Sequence, residues 1–118
     1  MKSIIPTRVA EMLFALVIGT FGVQHFMHAD MMGGAVPSFM PADPKIWVYV
    51  TGAALILAAI AILINKYKMI ACYLLALMLL IFVFTLHLKP AMNGDLGSLL
   101  KDTGLAMAAI IIGNNSPS

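Results

Sequence analysis

Four apolar runs, each close to the length that crosses a bilayer, dominate this chain and constrain its fold more than any other feature. A helix needs about 20 apolar residues to span roughly 30 Å of hydrocarbon. The runs cover residues 9–28, 45–64, 69–88 and 98–113. The last is the weakest, because Lys101 and Asp102 fall in its first turns. Of the 118 residues, 62% are hydrophobic and only 10% charged. A soluble domain runs nearer half apolar and a quarter charged, so the excess must face lipid. The expected fold is all-α: an integral membrane four-helix bundle, one transmembrane domain over residues 1–118.

The connections carry clear punctuation. Residues 29–44 contain Gly33-Gly34, Pro37, Pro41 and Pro44, which break helices and set turns. Asn65-Lys66-Tyr67-Lys68 is short enough to make its flanking helices antiparallel neighbours. Residues 89–97 open with Lys89-Pro90 and contain Asn93-Gly94. Lys2 and Arg8 with an apolar stretch behind them imitate a signal peptide. Met27 does not suit the −3 position of a cleavage site ending at Ala29, so the segment reads as a retained helix.

Basic residues orient the bundle. Lys2, Arg8, Lys66 and Lys68 fall on one side, and Lys45, Lys89 and Lys101 on the other. Both termini are therefore expected inside, with the two longer loops outside. Trp47 and Tyr49 would mark the outer interface, and Tyr67 and Tyr73 the inner one. Small residues recur at packing intervals: Ala15, Gly19 and Gly22, then Ala54 and Ala58, then Gly104 and Ala108. In lipid, close backbone approach drives helix packing. The net charge of +2 offers no basic stripe for nucleic acid. The single cysteine, Cys72, makes neither an internal disulfide nor a CxxC centre and reads as a small apolar helix residue.

Three stretches resemble the DoxX family of small bacterial membrane proteins. They are Val36-Pro37-Ser38-Phe39-Met40-Pro41 followed by Trp47-Val48-Tyr49-Val50-Thr51-Gly52, the Gly19 to Phe26 end of the first helix, and Leu99-Leu100-Lys101-Asp102-Thr103-Gly104-Leu105-Ala106. The resemblance implies a four-helix, multi-pass protein of the bacterial inner membrane. It also implies a subunit of a membrane oxidoreductase complex rather than an enzyme by itself. One departure stands out: relatives carry a glutamate shortly after the Thr-Gly pair, where this chain has Ala53, Ala54 and Leu55.

Ionisable groups at membrane depth are functional candidates by default. The outer helix ends collect Gln24, His25, His28, Tyr49, Thr51, Thr85, His87, Lys101 and Asp102. Of these, Gln24, His25, His28, Tyr49, Thr51, His87, Lys101 and Asp102 form the expected ligand-binding set. A neutral imidazole donates to a quinone carbonyl, so a quinone-like ligand is the leading cofactor reading. His25, Met27, His28, Met31 and Met32 crowd one stretch, and imidazole with thioether suits reduced copper. Haem would need facing histidines from two helices. Metal or haem therefore stays open beside the quinone, and so does an interfacial histidine with no ligand. Lys101 and Asp102 are sequence neighbours, about 100° apart on a helix, and are expected to seek separate partners. Arg8 and Glu11, three apart, are expected to form a simple ion pair at the inner interface. Asp30, Asp43 and Asp95 read as solvated turn or cap residues. No phosphate loop, HExxH zinc motif or hydrolase triad is present. Partners are expected to be the lipid bilayer and another membrane protein or further copies of this chain. The leading expectation is an accessory subunit holding a small hydrophobic or quinone-like ligand near the outer face. The rivals are a ligand-free interaction module and a copper or haem protein.

Overall fold

Alternating cap and breaker residues divide the chain into helices. A computed structural model describes residues 5–35, 41, 43–87, 94 and 96–116, the side chains of 32, 35, 86, 87 and 98 excepted. The Val36–Met40 motif and the Lys89-Pro90 turn lie outside the described residues. The described residues are helical with no strand. They form α1 (Thr7–Met27), α2 (Ala29–Met32), α3 (Pro44–Ile64), α4 (Lys68–Phe82) and α5 (Gly97–Asn114). A 3₁₀ turn, Gly33–Ala35, follows α2, and a π-helical turn, Val83–His87, extends α4.

Five α-helices among the described residues, rather than four, correct the expected count. The first helix breaks at His28, whose φ of −122° and ψ of 31° leave the α region. Its N–H still bonds the Gln24 carbonyl at 2.8 Å, so the chain resumes a helical course at once. Ala29 is buried, and α2 packs back on α3 instead of forming an irregular loop. Asp30 is more than a solvated turn residue: its carboxylate lies 2.5 Å from Lys45 Nζ.

Local chemistry sets the other ends. Asp43 caps α3, its Oδ1 accepting from the Lys45 N–H at 2.9 Å, and Pro44 opens the first turn. Asn65 (φ 59°) and Tyr67 (φ 56°) both take left-handed conformations. Asparagine tolerates that region, and two such residues reverse the chain within three positions. At the far end of α4, the Thr85 hydroxyl donates to the Ile81 carbonyl at 2.7 Å beside the π turn. A hydroxyl bonded back into the helix ladder is a known source of local distortion.

The four long helices pack as two pairs, α1 with α3 and α4 with α5, joined where α3 meets α4. One core runs through all of them, from Ala15 and Ile18 through Leu55 and Ile62 to Cys72, Leu75, Ala106 and Ala109. The α1 and α3 backbones come close at Gly22 and Gly52. A Cβ on Gly22 would lie 2.9 Å from the Gly52 carbonyl oxygen, and one on Gly52 would lie 3.0 Å from the Gly22 carbonyl oxygen. The expected Gly104 and Ala108 contact is not the one used. Gly104 faces open space, while Ala106, Ala109 and Gly113 carry the packing of α5. The rotation of α5 about its axis decides this, and small residues on both faces leave that rotation unmarked in the sequence.

Apolar side chains also cover the outward faces, with Leu16, Leu57, Leu74 and Ile111 all more than half exposed. Among the described residues, three helices are long and apolar enough to cross a membrane: Thr7–Met27, Pro44–Ile64 and Lys68–Thr85.

The glycine geometry makes a contrast that thermal unfolding in detergent can read. Gly52→Ala drives a methyl into backbone and is expected to cost about 1–3 kcal/mol, as overpacking does. Gly104→Ala meets nothing and is expected to be neutral or stabilising by up to about 1 kcal/mol, from helix propensity. Equal effects at the two positions would contradict the packing described.

Candidate functional site

Polar side chains gather at the two ends of the molecule. At one end Glu11 is buried on α1, its side chain only 5% exposed. Lys68, the first residue of α4, reaches it with Nζ 2.8 Å from Oε1, and that ammonium is buried as well. Arg8 Nη1 sits 3.4 Å from the same oxygen. Arg8 spends its stronger hydrogen bonds on α3, donating to the Ile62 carbonyl at 2.6 Å and the Leu63 carbonyl at 2.5 Å. The simple Arg8–Glu11 pair expected from spacing is therefore the weaker part of a three-helix cluster. Sequence reasoning placed Lys68 in a loop and missed it. The available signal was a lysine directly after a tight turn, able to fold back over the helix before it.

The other end holds most of the expected ligand-binding residues, and the structure brings some of them together. His25 is half-buried against α3, and its Nδ1 lies 2.6 Å from the Phe21 carbonyl. A carbonyl oxygen only accepts, so Nδ1 carries the proton in this contact, and the neutral ring would offer Nε2 as an acceptor. Lys101 of α5 lies over the ring of that same Phe21, with Nζ 4.9 Å from the centroid. Such a cation over an aromatic face is attracted by the ring quadrupole. Lys101 Nζ also lies 3.7 Å from Oδ1 of Asp102, whose side chain is 8% exposed. The two neighbours were expected to diverge; the flexible lysine stem instead curls back toward the carboxylate. Phe21 thus links α1 to α5, its ring under Lys101 and its carbonyl bonded by His25.

Tyr49 stacks on Phe26, with ring centroids 5.5 Å apart and planes 20° from parallel. Thr51 is half-buried, while Gln24 and His28 are exposed. The His87 side chain lies outside the described residues, so a facing His25 or His28 partnership is not described. Trp47 Nε1 donates to the Pro41 carbonyl at 2.5 Å. Among the described residues, no three His, Cys, Asp or Glu side chains gather as a metal-holding group. A separate groove of about 380 Å³ runs between α1 and α3 and is lined by apolar residues including Ala15, Gly19, Ile56, Ala59 and Ile60. None of the expected ligand-binding residues lines it. Thr20, at its wall, turns its hydroxyl to the Leu16 carbonyl at 2.8 Å.

Residues 14–112 match a family described as a domain of unknown function, DUF8561, and the chain belongs to that family. No curated protein and no solved structure matches it. This corrects the DoxX resemblance. The letters that suggested it are interfacial aromatics, Thr-Gly and Pro-rich turns, which many bundles of apolar helices share for packing reasons. The expectations of an oxidoreductase complex and of the bacterial inner membrane rested on that resemblance and lose their support with it.

The buried cluster yields a double-mutant prediction. Glu11→Leu alone or Lys68→Met alone strands a buried charge and is expected to cost about 3–5 kcal/mol. The double variant, apolar on both sides, is expected to recover most of that loss. Additive losses in thermal unfolding would show that the two groups do not act as a pair.

Proposed function

We propose that this chain is an integral membrane protein whose four long helices cross the bilayer with both termini in the cytoplasm. It acts as a non-catalytic accessory subunit that holds the polar head of a small hydrophobic ligand at the His25–Lys101 end. The apolar outward faces support insertion, since a surface of that kind in water would aggregate. Among the described residues, Arg8, Lys66 and Lys68 fall at the Glu11 end, against Lys45 and Lys101 at the other, which supports placing the Glu11 end inside.

The observation carrying the ligand reading is the contact of α5 on α1 through Phe21. Phe21 takes the Lys101 ammonium over its ring and the His25 Nδ1–H on its carbonyl, and the buried Asp102 carboxylate lies 3.7 Å from the same ammonium. A ligand carbonyl would accept from Lys101, and a ligand hydroxyl would donate to His25 Nε2. A quinone-like head alternates between those two forms, which makes that class the best chemical fit. The aromatic stack of Phe26 on Tyr49 adds a flat apolar wall close by.

Native mass spectrometry of the protein, extracted in mild detergent, tests this. A discrete added mass is expected on the wild-type chain, and its loss is expected in Lys101→Met with the helical signal intact. A bare wild-type chain bound to a stoichiometric membrane partner would sink the ligand reading. It would favour a ligand-free interaction module instead, a reading the small-residue groove between α1 and α3 supports.

A further inference from the structure

The groove between α1 and α3 ends on a cation. Small residues, Ala15, Gly19 and Ala59, form its floor, and Leu16, Ile60 and Leu63 are apolar, exposed walls. The Thr20 hydroxyl is spent on the Leu16 carbonyl, so the groove offers hydrocarbon contact alone. Arg8 closes one end. Its Nη2 donates to the carbonyl of Leu63 at 2.5 Å, and Leu63 is itself a wall of the groove. Ala15 and Gly19 each stand about 20° from Arg8 around the axis of α1, so floor and guanidinium share one helix face.

That cation is only partly neutralised. Glu11 is one carboxylate for two cations, and buried Lys68 holds it at 2.8 Å against 3.4 Å for Arg8. A guanidinium has five N–H donors. Nη1 serves Glu11 and Ile62 and Nη2 serves Leu63, which leaves Nε–H and one Nη2–H uncommitted among the described residues. The Arg8 side chain is 36% exposed.

We propose that this groove holds one anionic phospholipid, an acyl chain along Ala15, Gly19 and Ala59 and the phosphate on Arg8. One amphiphile meets both features, the hydrocarbon trench and the cation at its end. Basic pockets between membrane helices bind anionic headgroups, and a guanidinium fork suits phosphate oxygens. A parallel second copy of this chain is a poorer occupant. Its Asp30, Asp43 and Asp102 lie at the opposite end, and its Glu11 is buried against its own Lys68. The inference rests on insertion of the chain in a bilayer, and not on the ligand at Lys101.

The test reconstitutes the purified full chain into vesicles of phosphatidylglycerol and phosphatidylcholine, equal in amount and identical in acyl chains. The protein is then extracted in mild detergent and weighed by native mass spectrometry. One phosphatidylglycerol per chain is expected, favoured over phosphatidylcholine by at least about fivefold. Arg8→Gln is expected to abolish the preference. Arg8 also bonds the end of α3, so Gly19→Leu, which leaves those bonds intact, is the independent variant. A Cβ at Gly19 meets Ala59 Cβ at 3.4 Å, an ordinary contact, and the rest of the leucine occupies the trench. That variant is expected to lose most of both lipids with its circular dichroism unchanged. Lys101→Met is expected to keep the lipid, which separates this site from the ligand end. A chain that does not enter vesicles would overturn the membrane reading and this inference together. A reconstituted chain with no lipid or with both lipids equally, a preference surviving Arg8→Gln, or a lipid undiminished in Gly19→Leu would overturn this inference alone.

Discussion

The buried Glu11 carboxylate is the constraint on which the arrangement of α1, α3 and α4 depends. A charge this far from water is tolerated only when paired and hydrogen-bonded. Lys68 supplies the opposite charge from α4, and Arg8 adds a second cation from the same helix as Glu11. Arg8 then spends its other donors on carbonyls at the C-terminal end of α3, groups that have no partner within their own helix. One guanidinium, with five donors in a fixed fork, joins the two jobs. The left-handed Asn65 and Tyr67 turn the chain sharply enough to return Lys68 to this point.

The opposite end is held differently. Its contacts are aromatic and cationic: Phe26 on Tyr49, and Lys101 over Phe21. The Asp30–Lys45 pair there is exposed, with Asp30 85% accessible, and exposed pairs contribute about 0–1 kcal/mol. The two ends therefore divide their work. Charges at the Glu11 end satisfy one another and fix the helices. At the His25 end, the Lys101 ammonium is half-exposed and the Met27 and Met31 thioethers are largely exposed.

Packing between the ends brings the α1 and α3 backbones together. Gly22 and Gly52 let the two backbones touch, and His25 sits directly against Gly52. The position of the imidazole is thus a consequence of the crossing point. The single cysteine is part of the same economy of space, buried on α4 where Gly113 of α5 comes close.

The sequence by itself determined where the four long helices lie and how apolar they are, but not the short α2. Length and hydrophobicity are properties of a continuous segment, so the expected span 45–64 and the observed α3 (Pro44–Ile64) differ by one residue. The cap Asp43-Pro44 and the tight Asn65–Tyr67 turn were legible for the same local reason. The sequence also singled out His25, Lys101 and Asp102, because polar groups stand out in apolar runs. Tertiary structure alone decided their partners. It put Lys68 on Glu11, curled Lys101 back to Asp102 over Phe21, left Gly104 unpacked and freed Met27, His28 and Met31 from packing. The physical reason is rotational: in helices apolar on nearly every face, the pattern scarcely marks which side turns inward. Only the crossing of one helix against another sets that rotation, and with it every contact between side chains distant in the chain.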